Sequence, residues 1–321
     1  MDVETSDIFD VVTSGDLHTL QLMIADDPNK LKQKNKNNSS LFHSSCFYGH
    51  MDMAQWIHSI DPDQIHMINS NNFTPFYASC FKGHMNIAQW IYSIDPEQIH
   101  VMNHKDMIPF HSSCISGHMD IAQWIYSVDH DQIRVTDKYN CTSFYMACRD
   151  GHLDIAQWIY SIDPSQIRTT NKNNRTPLHI SCRRGHLNVA QWIYSIDPSQ
   201  VHVADDKHET PFHIACVNKH INVAKWLIDI ENTVQYDLVD GENWKSVCHD
   251  SHSDSHFITE LENYIGDKEI QKQQKYEKYD ELTDLVKDLQ QQLSILKSAK
   301  QKETNNEDDE PSYRRKISKK Y

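Results

Sequence analysis

The sequence is short of apolar runs: Met1-Asp2-Val3-Glu4 offers neither the basic start nor the apolar stretch of a signal peptide, and no apolar run approaches the ~20 residues that cross a bilayer. Secretion and membrane insertion are therefore not expected, and the chain reads as soluble and intracellular. It is also short of positive charge. Against 45 Asp and Glu stand 31 Lys and Arg, a formal net charge of -14. Long-range steering then favours cationic partners over nucleic acid or an anionic membrane, unless a local basic patch overrides the total. Glycine is scarce, with 8 in 321 residues, so few backbone turns can be assigned to it.

What the chain does have is a period. Trp56, Trp90, Trp124, Trp158, Trp192 and Trp226 recur every 34 residues, most within the phrase Ala-Gln-Trp-Ile-Tyr-Ser-Ile-Asp-Pro. A fixed repeat of 20–50 residues marks a stacked array whose units cannot bury their apolar faces alone. Cys46, Cys80, Cys114, Cys148, Cys182 and Cys216 share the spacing. Equivalent points on stacked helices lie about 8–10 Å apart, beyond the roughly 7 Å between Cα atoms that a disulfide allows. Free, buried thiols are expected.

The unit is clearest at Thr176-Pro177-Leu178-His179-Ile180-Ser181-Cys182-Arg183-Arg184-Gly185-His186-Leu187-Asn188-Val189-Ala190. Thr176 is an N-cap, Pro177 suits the first helical position, and Gly185 ends the helix. Leu187, Val189, Ala190, Trp192 and Ile193 form a second apolar stripe, which Asp197-Pro198 stops. This helix-turn-helix unit resembles the ankyrin repeat. The family's Asp-Gly hairpin tip appears only as Asp240-Gly241; elsewhere Asn38, Asn72, Asp106, Asn140, Asn174 and His208 hold the glycine's place. Most are residue types that tolerate positive φ.

The resemblance implies an all-α solenoid of about eight units with short hairpin fingers. Residues 1–34 are an N-terminal cap, 35–237 six regular repeats, and 238–266 a degenerate C-terminal cap carrying Trp244, Val247, Phe257, Ile258, Leu261 and Ile265. Low glycine, abundant Asn and Ile-Asp-Pro ends make the array similar to those of giant DNA viruses and some protists.

Each inner repeat carries a Cys and, four residues on, a His, as in Cys148 and His152. Six equivalent copies argue for framework, since a catalytic dyad needs one uniquely oriented pair and an oxyanion donor. No enzymatic activity, cofactor or metal is expected. The one loose group of potential zinc ligands is Cys248, His249, His252 and His256. His43, His111, His179 and His213, alternating with Tyr77 and Tyr145, are read as ties between turns. The tryptophans are read as core, where truncation costs about 3–5 kcal/mol.

With the framework subtracted, the residues that vary become informative. In the ankyrin family, two positions after the Cys and one after the finger tip face the concave binding surface. Here they supply Phe47, Tyr48, Phe73, Phe81, Met107 and Ile115 in repeats two to four, then Arg149, Arg175, Arg183 and Arg184 in repeats five and six. Aromatics and arginines dominate interface energetics. The expected partner is a protein segment with a hydrophobic anchor followed by an acidic or phosphorylated stretch.

After residue 266 the periodicity changes. Tyr279, Leu282, Val286, Leu289, Leu293 and Leu296 alternate as a and d positions over about three heptads within residues 267–300. Self-association and folding back on the last repeat both fit. Residues 301–321, acidic at Glu307-Asp308-Asp309-Glu310 and basic at Arg314-Arg315-Lys316, are expected to be unstructured. The leading function is a non-enzymatic adaptor, cytoplasmic or, through the basic tail, nuclear. The alternative is a receptor subunit of an enzyme complex such as a ubiquitin ligase. Viral ankyrin proteins of that kind carry an F-box-like C-terminus, whereas this chain carries a heptad helix.

Overall fold

The computed structural model describes residues 7–230 and 255–307. Seven helix pairs fill the first span. The first helices are Ile8–Ser14, Leu41–Tyr48, Pro75–Lys82, Pro109–Ser116, Ser143–Asp150, Pro177–Arg184 and Pro211–Val217. The second helices are Leu17–Asp26, Met51–Ile60, Met85–Ile94, Met119–Val128, Leu153–Ile162, Leu187–Ile196 and Ile221–Ile230. Each first helix packs on the first helices of adjacent units, which is the contact pattern of a solenoid. Among the described residues there is no strand; single bridges, Lys34 with Ser40 and Thr136 with Thr142, close two fingers. Also among the described residues, no helix is long and apolar enough to cross a membrane.

Local chemistry sets the boundaries of each helix. The hydroxyls of Ser40, Thr74, Thr142 and Thr176 accept the backbone N–H three residues on, at 3.1–3.4 Å, satisfying a donor that the first turn leaves free. Gly49, Gly83, Gly117, Gly151 and Gly185 end these helices in the left-handed conformation, with φ between 79° and 87°. The six finger-tip residues from Asn38 to His208 have φ between 57° and 61°, so the turn survives without glycine. Below each tip, a carboxamide or carboxylate clamps the finger. Asn69 Oδ1, for instance, accepts from the N–H groups of Asn71 and Phe73 at 2.9 and 3.0 Å.

The second helix ends at the Asp-Pro step, but the chain keeps turning. Pro164–Arg168 and its equivalents form a 3-10 turn, with Asp163 Oδ1 accepting from Ser165 N–H at 3.2 Å. This turn drives Ile65, Ile99, Ile133, Ile167 and Val201 into the core. The core itself is a double row. Phe42, Phe76, Phe110, Phe144 and Leu178 come from the first helices, and Ile57, Ile91, Ile125, Ile159 and Ile193 from the second, all fully buried.

The tryptophans differ from the sequence expectation: they are half-buried, at the joints between repeats. Tyr92, Tyr126, Tyr160 and Tyr194 each meet the Trp of the next repeat edge-on, at 5.6–5.7 Å between ring centroids. Core Phe110 also reaches Trp158, at 6.3 Å. The aromatic row thus couples neighbours instead of filling single units. With part of the ring already in water, Trp158→Ala is expected to cost about 2 kcal/mol, below the range for a fully buried tryptophan. A cycle with Tyr126→Ala in urea melts should return about 0.5–1.5 kcal/mol of coupling; additive losses would sink the joint.

The second described span holds one helix, Ser255–Glu307. It passes through Gly266 without a break, and residues 301–307 of the stretch expected to be unstructured are helical. The chain divides at Ile258 and Thr259 into two compact units. Asp240-Gly241, Trp244, Val247, the Cys248, His249 and His252 part of the candidate zinc group, and residues 308–321 lie outside the described residues.

Candidate partner-binding face

In the second to sixth units the last turn of the first helix presents the two variable residues, because the Cys before them is fully buried and the Gly after them reverses the chain. Phe47 and Tyr48 end Leu41–Tyr48 and meet edge-on at 5.2 Å. Tyr48 is 45% exposed, and Phe47 and Phe81 are half-buried. Between the two phenylalanines lies Lys82, its Nζ 4.6 Å from the Phe47 ring centre and 5.5 Å from that of Phe81. An ammonium over an aromatic face is held by the ring quadrupole. The sequence pattern placed Lys82 among the variable residues but gave no reason to single it out; the signal was a cation 35 residues after one Phe and adjacent to another.

Phe73 stacks on Tyr77 at 4.4 Å and 17°. The Tyr77 hydroxyl in turn accepts from Asn103 Nδ2 at 3.2 Å. Ile115 is half-buried, and Arg183 and Arg184 are exposed. Among the described residues neither arginine has an ion-pair partner. Three other positions are drawn into the framework. Met107 is buried at 8% exposure. Arg175, its side chain 11% exposed, binds Asp205 at 2.7 Å and Glu209 at 2.9 Å on the next finger. Burial works to raise the Asp205 carboxyl, but Arg175 and two backbone N–H groups bring it below its usual value. Arg149 lies against Asp150, Nη2 to Oδ2 2.7 Å, which neutralises most of its field. The site residues therefore separate into an aromatic end at Phe47, Tyr48, Phe73 and Phe81 and a free cationic end at Arg183 and Arg184.

Three finger residues outside the three variable positions are also open: Ile68 and Met102, on the approaches to the second and third hairpins, and Tyr139 in the fourth are exposed large hydrophobics. In the column of Ile68 and Met102 the other fingers carry Lys34, Thr136, Thr170 and Ala204, so the large apolar side chains of this column are confined to the second and third fingers. Comparing this fourth position across repeats would have revealed them.

The Cys and His pairs are held apart chemically. All seven cysteines among the described residues are free and buried. Burial pushes the Cys148 thiol up and that of Cys114 up to about 12, leaving no thiolate at neutral pH. His152, four residues after Cys148, directs Nε2 to the Ile115 carbonyl at 2.8 Å, in the preceding repeat. Its equivalents His50, His84 and His220 make the same bond to Thr13, Phe47 and Arg183. Among the described residues no His, Cys, Asp and Glu group is arranged to hold a metal ion. A polar cleft of about 480 Å³ opens between Asn140 and Thr169. Arg134 crosses it to Asp163 at 3.1 Å, and the other lining groups are hydroxyls and amides.

A family model described as ankyrin repeats (3 copies) matches residues 161–240. The helix pair it covers recurs back to Ile8. No curated protein matches the chain closely enough to count as a relative.

Proposed function

Because this chain is an ankyrin-repeat protein, we propose that it is a non-enzymatic adaptor, holding a protein segment along the last turns of its first helices and the adjoining fingers. The observation that carries this reading is the polarity of that row: aromatic rings around Lys82 at one end, unpaired Arg183 and Arg184 at the other. Phe47 and Arg183 are four repeats apart, or about 32–40 Å at 8–10 Å per packed helix. An extended partner of roughly 10–12 residues spans that distance. Its hydrophobic anchor meets Phe47, Tyr48, Phe73 and Phe81, and its acidic or phosphorylated stretch meets the two arginines as charge-assisted pairs. Ile115 lies between the ends, while Met107, Arg149 and Arg175 shape the row from beneath.

The test is a captured partner titrated against Phe81→Ala and against Arg183→Glu with Arg184→Glu. Each variant should weaken binding at least tenfold with the melting temperature unchanged, as expected of interface hot spots. The arginine variant should also flatten the salt dependence. Full binding by both variants would refute the site.

The long helix has a second role, self-association through Tyr279, Leu282, Val286, Leu289, Leu293 and Leu296. These six are 50–68% exposed, although each occupies an apolar position of the heptad. An assembly with two partner-binding rows gains avidity for a ligand that carries two epitopes.

A further inference from the structure

Resting on that self-association, we propose that the occupant of the heptad face is a second copy of this chain, running antiparallel about a two-fold axis between residues 287 and 288. Three features of the helix point this way. First, the apolar set is self-complementary in that register. Tyr279 faces Leu296 of the partner subunit, Leu282 faces Leu293 of the partner subunit, and Val286 faces Leu289 of the partner subunit. Every a position therefore meets a d position, as antiparallel packing requires, and Leu285 and Ile295 broaden the stripe beside these pairs.

Second, the heptad continues toward the N-terminus through Lys275, Lys272 and Lys268 at core positions, with Lys278 beside them. A parallel pair would set the three core lysines against their own copies along the seam. In the antiparallel register the two clusters are centred some 29 residues apart, about 43 Å at 1.5 Å per residue. That is several Debye lengths at physiological salt, so the two clusters no longer repel each other. Counted along the sequence in that register, Lys268 is level with Glu307 of the partner subunit and Lys272 with Glu303 of the partner subunit, while Lys275 and Lys278 are level with Lys300 of the partner subunit and Lys297 of the partner subunit.

Third, the flanking positions within the seam are Thr283, Leu285, Gln290 and Gln292, all exposed and uncharged, and the charged ones at its two ends, Lys278 and Lys297, are of one sign, so no salt-bridge pattern enforces a parallel register. Orientation is left to the lysine clusters. The two polypeptides enter the pair from opposite ends.

The test uses the full chain carrying Leu282→Cys or Leu293→Cys, alone and mixed, oxidised at neutral pH, with the joined peptides mapped by mass spectrometry. The buried native thiols in the described array remain unreactive. We expect a sedimentation mass twice 37.6 kDa. The mixture should give a 282-to-293 bridge, and Leu282→Cys alone should give none. In an antiparallel pair, residue 282 lies 11 residues from its own copy along the axis, about 16 Å, beyond the roughly 7 Å that a disulfide spans. A dimer in which Leu282→Cys bridges to itself overturns the antiparallel register while leaving self-association standing. A dimer with neither bridge overturns the seam. A monomer across the concentration range, matching a Leu282→Glu/Leu289→Glu control, overturns self-association itself.

Discussion

Acidification from pH 7 to pH 4.5 should strip the array of most of its stability, through its buried histidines. Burial pushes His43, His111 and His179 down to about 4. In the His111 ring the hydrogen bonds define the tautomer: Nδ1 accepts from Ile108 N–H at 3.1 Å and Nε2 donates to the Val135 carbonyl at 3.0 Å. A proton on Nδ1 would point at the Ile108 N–H in a site that excludes water. His179 repeats the arrangement with Thr176 N–H and the Glu209 carbonyl. The unfolded chain titrates near 6.5, so below that value it takes up protons that the folded chain refuses, and stability falls as pH falls until the folded groups titrate near 4. At pH 5 each histidine withdraws about 2 kcal/mol, and the three together about 6 kcal/mol, comparable to the whole stability of an ordinary domain. Below pH 4 the lowered carboxylates add to the loss, Asp163 held down mainly by the Ser165 hydroxyl and Asp197 by that of Ser199.

The repeats themselves supply the control. Where Tyr77 and Tyr145 replace the histidine, their hydroxyls accept from Asn103 and Asn171, whereas His111 and His179 occur with Asp137 and Asp205 at the corresponding place. His111→Tyr with Asp137→Asn should therefore fold and lose about a third of the pH dependence. Urea midpoints by circular dichroism at pH 7, 6, 5 and 4.5 measure both effects. A midpoint unchanged between pH 7 and pH 5 would show that these rings do not resist protonation.

Framework positions are legible in the sequence because each carries a chemical reason that recurs every 34 residues: hydroxyl cap, left-handed glycine, Asp-Pro stop. The candidate site is less so, because a residue that breaks the pattern is not thereby exposed. Arg175 is singular in its column, yet Asp205 and Glu209 lie 30 and 34 residues on, one repeat away in the stack, and close over it. Met107 follows the tip of its finger, and burial there depends on neighbouring units that a single repeat's periodicity does not describe. The tryptophans show the converse: an invariant residue taken as core is a half-exposed joint, because the aromatic partner comes from the repeat before. At residue 266 the apolar period changes but the helix does not end. A lone glycine in a helix costs about 1 kcal/mol relative to alanine, too little to stop a helix of 53 residues.

Gly117→Ala should be among the most damaging single-methyl changes in the chain, for two separable reasons. Gly117 sits at φ 80°, where a side chain costs about 1 kcal/mol of backbone strain. A Cβ there would also stand 2.6 Å from Cε1 of His152 in the following repeat. That imidazole is bonded to the Ile115 carbonyl at 2.8 Å, so it cannot swing aside without giving up a hydrogen bond worth about 1 kcal/mol and its packing against the turn. A total near 3 kcal/mol follows. Because the clash needs both partners, His152→Ala should erase it: in that background Gly117→Ala falls to the backbone term, and the urea-melt cycle shows about 1–2 kcal/mol of coupling. The sequence carries the same logic at the seventh unit. Lys219 takes the glycine's place at φ 60°, and the residue 35 positions on is Asp254, where the earlier repeats have histidine. Gly266 is the opposite case: it lies within the long helix with nothing within 4 Å of its added Cβ, so Gly266→Ala should stabilise that helix by up to about 1 kcal/mol. If Gly117→Ala and Gly266→Ala shift their units alike, or if His152→Ala leaves the Gly117→Ala loss unchanged, glycine and histidine are not one inter-repeat latch.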